Sequence, residues 1–229
     1  MQAHSSYLPG SQASTKCASE MIMLFWEITQ CNKRFRSFII DTDRSHDFVI
    51  LLLFYILEYQ LDTSKQGVVR MCVFLLQTLS VEANFGTSLN KRFEAQETLP
   101  ASIRVASFNG TYADYLLHSI YTIITTSQGK LTAVYPALLA VINNIAAYIE
   151  NLSAAASSKL LQLFTSMSSP SFLLANDSNH DLLRALLEAM NSIIEHKYKS
   201  KQRGSLIFSA LWNVLLEYIH LRALLRTTC

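Results

Sequence analysis

Apolar residues recur along this chain at intervals of about three and four, the period of helices that bury one face, and strict alternation of the strand type is almost absent. The first block runs from Glu20 to Ile40, with Ile22, Phe25, Trp26, Ile28, Phe35, Phe38 and Ile39 on the stripe and a break near Cys31-Asn32. Phe48 to Leu57 is the most apolar run. Ser45 is placed as its N-cap, Asp47 sits in the first turn where the helix dipole favours an acid, and the helix extends to about Leu61. Thr63-Ser64-Lys65-Gln66 has the form of a capping box and opens the next helix, through Val68, Val69, Cys72, Val73, Leu75, Leu76 and Leu79. These two helices predict an antiparallel hairpin.

Residues 84–111 lose the helical period. They are polar around Asn90-Lys91-Arg92-Phe93-Glu94, contain Pro100 and hold a short extended candidate at Ile103-Arg104-Val105. So long a connection inside a helical domain either binds something or is packed by its own side chains, and packing is the reading adopted. Thr111-Tyr112-Ala113-Asp114 then forms a second capping box, with Leu116, Leu117, Ile120, Ile123 and Ile124 on one face of the helix it begins. Gly129 closes that helix or its loop, and Pro136 falls at an early helical position. The helix after it carries Leu138, Leu139, Val141, Ile142, Ile145 and Ile149, with Asn143-Asn144 near its middle, expected to bond to a neighbouring helix or to face water. Ser153 caps a helix through Leu160, Leu161, Phe164 and Met167 that Pro170 stops. Ser178-Asn179-His180-Asp181 is a third capping box, leading into the stripe Leu182, Leu183, Leu186, Leu187, Met190, Ile193 and Ile194. A basic link, 196–204, and a last helix from about Ser205 to Leu225 complete the chain; residues 1–17, small and polar, are expected to be a disordered lead-in.

The pattern predicts an all-α fold: an armadillo- or HEAT-like helical solenoid, or an irregular stack of antiparallel helix pairs, with one long irregular loop. Residues 18–229 are read as one domain. A closed bundle is the other arrangement the pattern allows, but apolar stripes broad enough to need partners on two sides favour the stack. No repeat consensus is visible.

Composition supports this reading. Half of the 229 residues are hydrophobic and 16% are charged, and glycine and proline are scarce, six and four. That is enough apolar material for a core and too few turn formers for a barrel or sandwich. A net charge of +2 offers no basic excess for nucleic acid. Cys17, Cys31, Cys72 and Cys229 form no CxxC pair; Cys72 reads as a small core residue and a reducing compartment is expected. Glu58 and Asp62 end the most apolar run well short of the roughly 20 residues that span a bilayer, and Asn213 and Glu217 do the same for the run after Leu206.

The search for chemistry finds no phosphate-cradling GxxxxGK, no GxGxxG after a strand, no HExxH, no GxSxG elbow and no cysteine-histidine metal spacing. His4, His46, His118, His180, His196 and His220 are scattered and read as surface or boundary residues. Glu58 and Asp62 share a helix face without a companion base. No enzyme, cofactor or metal site is expected. The cations from Lys197 to Arg203 would suit an anionic membrane, although a solvated loop accounts for them as well.

One stretch carries more. Glu82-Ala83-Asn84-Phe85-Gly86-Thr87-Ser88-Leu89-Asn90, followed by Phe108-Asn109-Gly110-Thr111-Tyr112-Ala113-Asp114, resembles the high-temperature-induced dauer-formation protein family, the relatives of dymeclin. Leu24-Phe25-Trp26-Glu27 with Asn32-Lys33-Arg34-Phe35 upstream, and Leu186 to Ile194 downstream, are similar to the same family in one order over about residues 20–200. The positions that carry the resemblance are Trp26, Glu27, Asn84, Phe85, Gly86, Leu89, Asn90, Gly110, Thr111 and Asp114. Gly86 is read as serving a helix-ending turn and Thr111 as starting a helix. The resemblance implies no catalytic residue. It implies a cytoplasmic protein peripherally associated with Golgi membranes, acting through protein partners of the trafficking machinery in trans-Golgi sorting and in secretory vesicle and granule formation. Family members are several times longer, and many animal members begin with a myristoylated glycine where this chain has Gln2. The alternative from the residues alone is a cytosolic armadillo-type adaptor that binds a peptide or partner protein.

Overall fold

The computed structural model describes residues 17–42 and 44–199, and they form an all-α structure. The helices are α1 (Ala18–Cys31), α2 (Lys33–Asp41), α3 (Arg44–Tyr59), α4 (Gln66–Ser80), α5 (Ala83–Ser88), α6 (Tyr112–Thr126), α7 (Tyr135–Ala146), α8 (Ala154–Met167), α9 (Pro170–Leu173) and α10 (Asn179–Lys199). Helices α1, α4, α7 and α10 lie side by side in that order, and α3, α6 and α8 form a second row. The rows pack together where α3 meets α4, α6 meets α7 and α8 meets α10. This is the two-layer stack of an α-solenoid, in which each helix needs neighbours in its own row and across the layer to bury its stripe. The short helix α5 fits between α2, α4 and α7. The expected lead-in over residues 1–16, the part of the basic link over 200–204 and the last helix at 205–225 lie outside the described residues.

Local chemistry explains most helix ends. Asn32 breaks the first block: its backbone is extended, and its Oδ1 accepts from the Phe35 N–H at 3.1 Å, which starts α2 in a new direction. Thr111 and Asp114 form the reciprocal capping box that opens α6. Ser153 caps α8 by accepting from the Ala156 N–H, and Pro136 stands in the first turn of α7. Gly129, with φ +76°, turns the chain after α6.

Several expected starts are relocated. Ser45 is not an N-cap; α3 begins at Arg44, and the Ser45 hydroxyl is buried in its first turn. Thr63 yields to Asp62, whose carboxylate accepts from both the N–H and the hydroxyl of Ser64, at 2.8 and 2.7 Å, ahead of a 3-10 turn at Thr63–Lys65. A charged acceptor outcompetes a neutral hydroxyl for the same orphan donors. At α10, Asn176 takes the Ser178 N–H and hydroxyl, at 3.0 and 3.1 Å, while the Asp181 carboxylate pairs with Arg184 at 2.9 Å, so the anticipated box is replaced by an Asn-led turn. Pro170 both stops α8 and begins α9 behind Ser169. Helix α10 continues through residues 196–199, where the basic link was expected to begin.

The connection after α4 differs most from its sequence pattern. Residues 83–88 are helical, and Ile103-Arg104-Val105 forms no strand. Among the described residues the β-type pairing is one isolated bridge between Arg92 and Thr111. The connection is held by its own side chains. Phe93 stacks on Tyr115 with centroids 4.4 Å apart and meets Phe108 edge-on at 5.3 Å, Leu99 and Ile103 are buried, and the Tyr115 hydroxyl donates to the Ile103 carbonyl at 3.0 Å. Such aromatic pairs stabilise by about 0.5–1.5 kcal/mol beyond the area they bury. Asn144 donates to the Ser80 hydroxyl on α4 at 2.9 Å, and Asn143 faces solvent.

Candidate functional site

The motif residues fall into a clamp and a remote pair. In the clamp, Asn90 reaches the link between α7 and α8: its Nδ2 donates to the Tyr148 carbonyl at 2.7 Å, and its Oδ1 accepts from the Glu150 N–H at 3.0 Å. Asp114 reaches the same link one step later. Its Oδ2 accepts from the Thr111 N–H at 2.9 Å and its Oδ1 from the Ser153 N–H at 2.9 Å. One carboxylate thus closes the capping box of α6 and fixes the entry to α8. The two halves are stitched together by backbone bonds, from the Ala113 N–H to the Leu89 carbonyl at 2.9 Å and from the Tyr112 N–H to the Lys91 carbonyl at 3.1 Å.

Phe85 and Leu89 are fully buried beneath this clamp. Gly86 does not end a helix: it lies inside α5, where the absence of a side chain lets the ring of Tyr148 approach. Gly110 serves a similar purpose, since a Cβ there would stand 2.7 Å from Asp114 Oδ2. Trp26 and Glu27 lie elsewhere, on α1; Trp26 packs against Phe74 of α4 with centroids 6.3 Å apart, and Glu27 is exposed.

Above the clamp, between the α2–α3 corner and α5, opens a cleft of about 290 Å³ whose walls include Asp41, Ser45, His46, Asn84 and Lys91. Asn84, an exposed motif residue, donates to Asp41 Oδ1 at 3.1 Å and so ties α5 to the end of α2. Arg36 makes the parallel tie, 3.0 Å from Glu82. Residue-type reasoning missed His46. It is buried, its Nε2 lies 2.9 Å from the Ser88 carbonyl, and its ring stacks on Tyr112 at 4.2 Å. The Ser88 carbonyl, at the end of a short helix, also accepts from the Lys91 N–H at 3.3 Å, and His46 fills its second acceptor position; no sequence spacing announces that residue 46 does so. His118 is half-buried, with burial first and Lys159 second holding it below the usual imidazole range. His180 and His196 are exposed, and His4 and His220 lie outside the described residues.

The cleft offers a carboxylate, an ammonium, hydroxyls and an amide, the groups of a polar contact surface. Among the described residues, no cluster of three or more His, Cys, Asp or Glu side chains is arranged to hold a metal ion, and no helix is long and apolar enough to cross a membrane.

Fold and site together define a helical-stack protein whose distinctive residues build a junction between layers. The chain belongs to the high-temperature-induced dauer-formation protein family, which it matches over residues 1–216. It is 34% identical over 217 residues to the Ubp5-interacting protein ftp105 of Schizosaccharomyces pombe, covering 95% of this chain and 24% of that one. It is 34% identical over 193 residues to Protein HID1 of Homo sapiens, covering 84% and 24% respectively, and 29% identical over 204 residues to Protein HID1 of Dictyostelium discoideum, covering 89% and 22%. The chain therefore spans about a quarter of the length of these relatives. No solved structure matches it.

Proposed function

We propose that this chain is part of a non-enzymatic helical scaffold that works at Golgi membranes, recruiting protein partners for trans-Golgi sorting and for secretory vesicle and granule formation. The observation that carries the proposal is the family match over residues 1–216. The two-layer stack supports it, because stacked helices present long surfaces to other proteins. The name of the S. pombe relative records an interaction with Ubp5, which supports protein partners for this chain also. The scaffold acts peripherally, from the cytoplasmic side, and uses no cofactor. The alternative, an armadillo-type adaptor that grips a peptide through an asparagine ladder, draws less support: Asn144 is bonded to Ser80 and Asn191 to Glu195.

The test is to tag the endogenous product, measure its overlap with a trans-Golgi marker and read its length by immunoblot from the same cells. Golgi overlap, together with missorted secretory cargo after loss of the gene, is the expected result. A diffuse product whose loss leaves cargo sorting unchanged would overturn the proposal.

A further inference from the structure

Two serines in the described residues follow an arginine at the third position upstream, the spacing that basophilic serine kinases read: Ser37, in Arg34-Phe35-Arg36-Ser37, and Ser107, in Arg104-Val105-Ala106-Ser107. The sequence does not separate them, and the structure does. Ser37 lies inside α2, and the neighbouring Arg36 is committed to Glu82 at 3.0 Å. A kinase cleft takes its substrate as an extended strand, so Ser37 becomes available only if a hydrogen-bonded helix unwinds, whereas Ser107 needs only the rearrangement of a surface turn. Ser107 lies in irregular backbone within the connection between α5 and α6, is exposed, and has a left-handed φ of 52°. Arg104 and Ala106 are exposed and Val105 is partly exposed, so the side chains around the serine face solvent, while the Val105 carbonyl accepts from Gln96 Nε2 and ties the backbone at one point. Phe108 is partly buried, with its ring edge-on to Phe93 and Tyr115, and anchors the segment from one side.

We propose that Ser107 is a phosphorylation site for a basophilic serine/threonine kinase and that the folded protein presents it in preference to Ser37. In the transfer, Ser107 Oγ bonds to the γ-phosphorus of ATP, the bond from that phosphorus to the bridging β-phosphate oxygen breaks, ADP leaves, and the hydroxyl proton passes to the kinase's catalytic carboxylate. The product adds about two negative charges three residues from Arg104. The Arg104 guanidinium now braces the connection through Nη2, which donates to the Leu99 carbonyl at 2.6 Å and the Glu97 carbonyl at 3.3 Å. A phosphate competes with those neutral carbonyls as a charged, bidentate acceptor. Modification therefore loosens the segment over residues 97–104 from outside the core.

The experiment treats the folded full chain with a purified basophilic kinase and Mg-ATP and maps phosphoserine by mass spectrometry. One phosphoryl group on Ser107 is expected, its loss in Ser107→Ala, and no modification of Ser37 until the chain is unfolded. Arg104→Gln separates recognition from mere exposure. It removes the brace and loosens the segment, which by exposure alone would speed modification; recognition of the arginine instead slows it by about tenfold or more, the scale of one charge-assisted hydrogen bond. Modification of Ser37 in place of Ser107, an unmodified folded chain, or faster labelling of Arg104→Gln would each overturn the proposal.

Discussion

Gly86 lies so close beneath the ring of Tyr148 that a Cβ built on it would stand 2.5 Å from Tyr148 Cδ2 and 2.9 Å from Cγ. The contact joins the middle of α5 to the residues that leave α7, and both partners are held: Gly86 by a helix whose Phe85 is fully buried, Tyr148 by the bond from Asn90 to its carbonyl. Tyr148 Cβ would also stand 3.0 Å from the added methyl, and it is fixed to that backbone, so turning the ring alone does not clear the contact. Gly86→Ala is therefore expected to lower unfolding free energy by about 1–3 kcal/mol, the usual cost of overpacking, despite alanine's better helix propensity. Chemical denaturation checks it. Pairing the change with Tyr148→Ala should recover part of the loss, because the added methyl then has room; a double variant as unstable as the sum of the two single ones would refute the steric account.

Asn90 supplies both a donor and an acceptor to backbone groups of the α7–α8 link, at 2.7 and 3.0 Å. An amide presents the donor and the acceptor on separate atoms of one planar group. Asn90→Asp keeps the shape but loses the donor and turns a carboxylate toward the Tyr148 carbonyl, so it should destabilise at least as much as Asn90→Ala, by about 1–3 kcal/mol. Equal stability of the Asp variant and the parent would show that the bond to Tyr148 contributes nothing.

Thr111 and Asp114 share a capping box but not the same reach. Thr111 accepts from the Asp114 N–H within α6, while Asp114 also holds the Ser153 N–H, 39 positions on. Thr111→Ala should cost about 1 kcal/mol, as for an ordinary N-cap. Asp114→Ala should cost about 2–3 kcal/mol, because it also strands a donor at the start of α8. Hydrogen exchange discriminates further: amides near Ser153 and Ala156 should lose protection in Asp114→Ala and keep it in Thr111→Ala.

These contrasts show which features can be read from sequence. The α6 box was legible because both partners are three residues apart and of the required types. The bond from Asp114 to Ser153 was not, since nothing near either residue encodes their proximity. Asn143-Asn144 is legible only as a pair that bonds to a neighbouring helix or faces water; that Asn144 does the first, with Ser80 as partner, depends on the row order of α4 and α7. Gly86 is distinctive in sequence, but a glycine before polar residues suggests a turn, while the neighbour that requires it, Tyr148, is 62 positions away. The connection after α4 lost its period because Phe93, Leu99 and Ile103 pack at irregular spacing against α6 rather than along a helix face of their own.

Burial pushes the Cys72 thiol from 9.0 up to about 12, and the Tyr115 hydroxyl from 10.0 up to about 12, where a bond with Ser119 partly opposes the rise. Both groups are neutral when protonated, so the folded state holds its protons where the unfolded state has released them. The sign follows: stability contributed by these groups is complete below pH 9 and falls as pH rises through about 12. Melting temperature should decline across this alkaline window, and less steeply in Cys72→Ala once its lower baseline from lost packing is subtracted. Thiol labelling gives an independent reading at lower pH. Cys17 and Cys31 are exposed and should react with iodoacetamide in the folded protein, while Cys72 should react only after denaturation. Labelling of Cys72 at the same rate as Cys31 under native conditions would mean that the α3–α4 hairpin opens far more often than a core with Cys72, Val73, Leu75 and Leu76 fully buried allows.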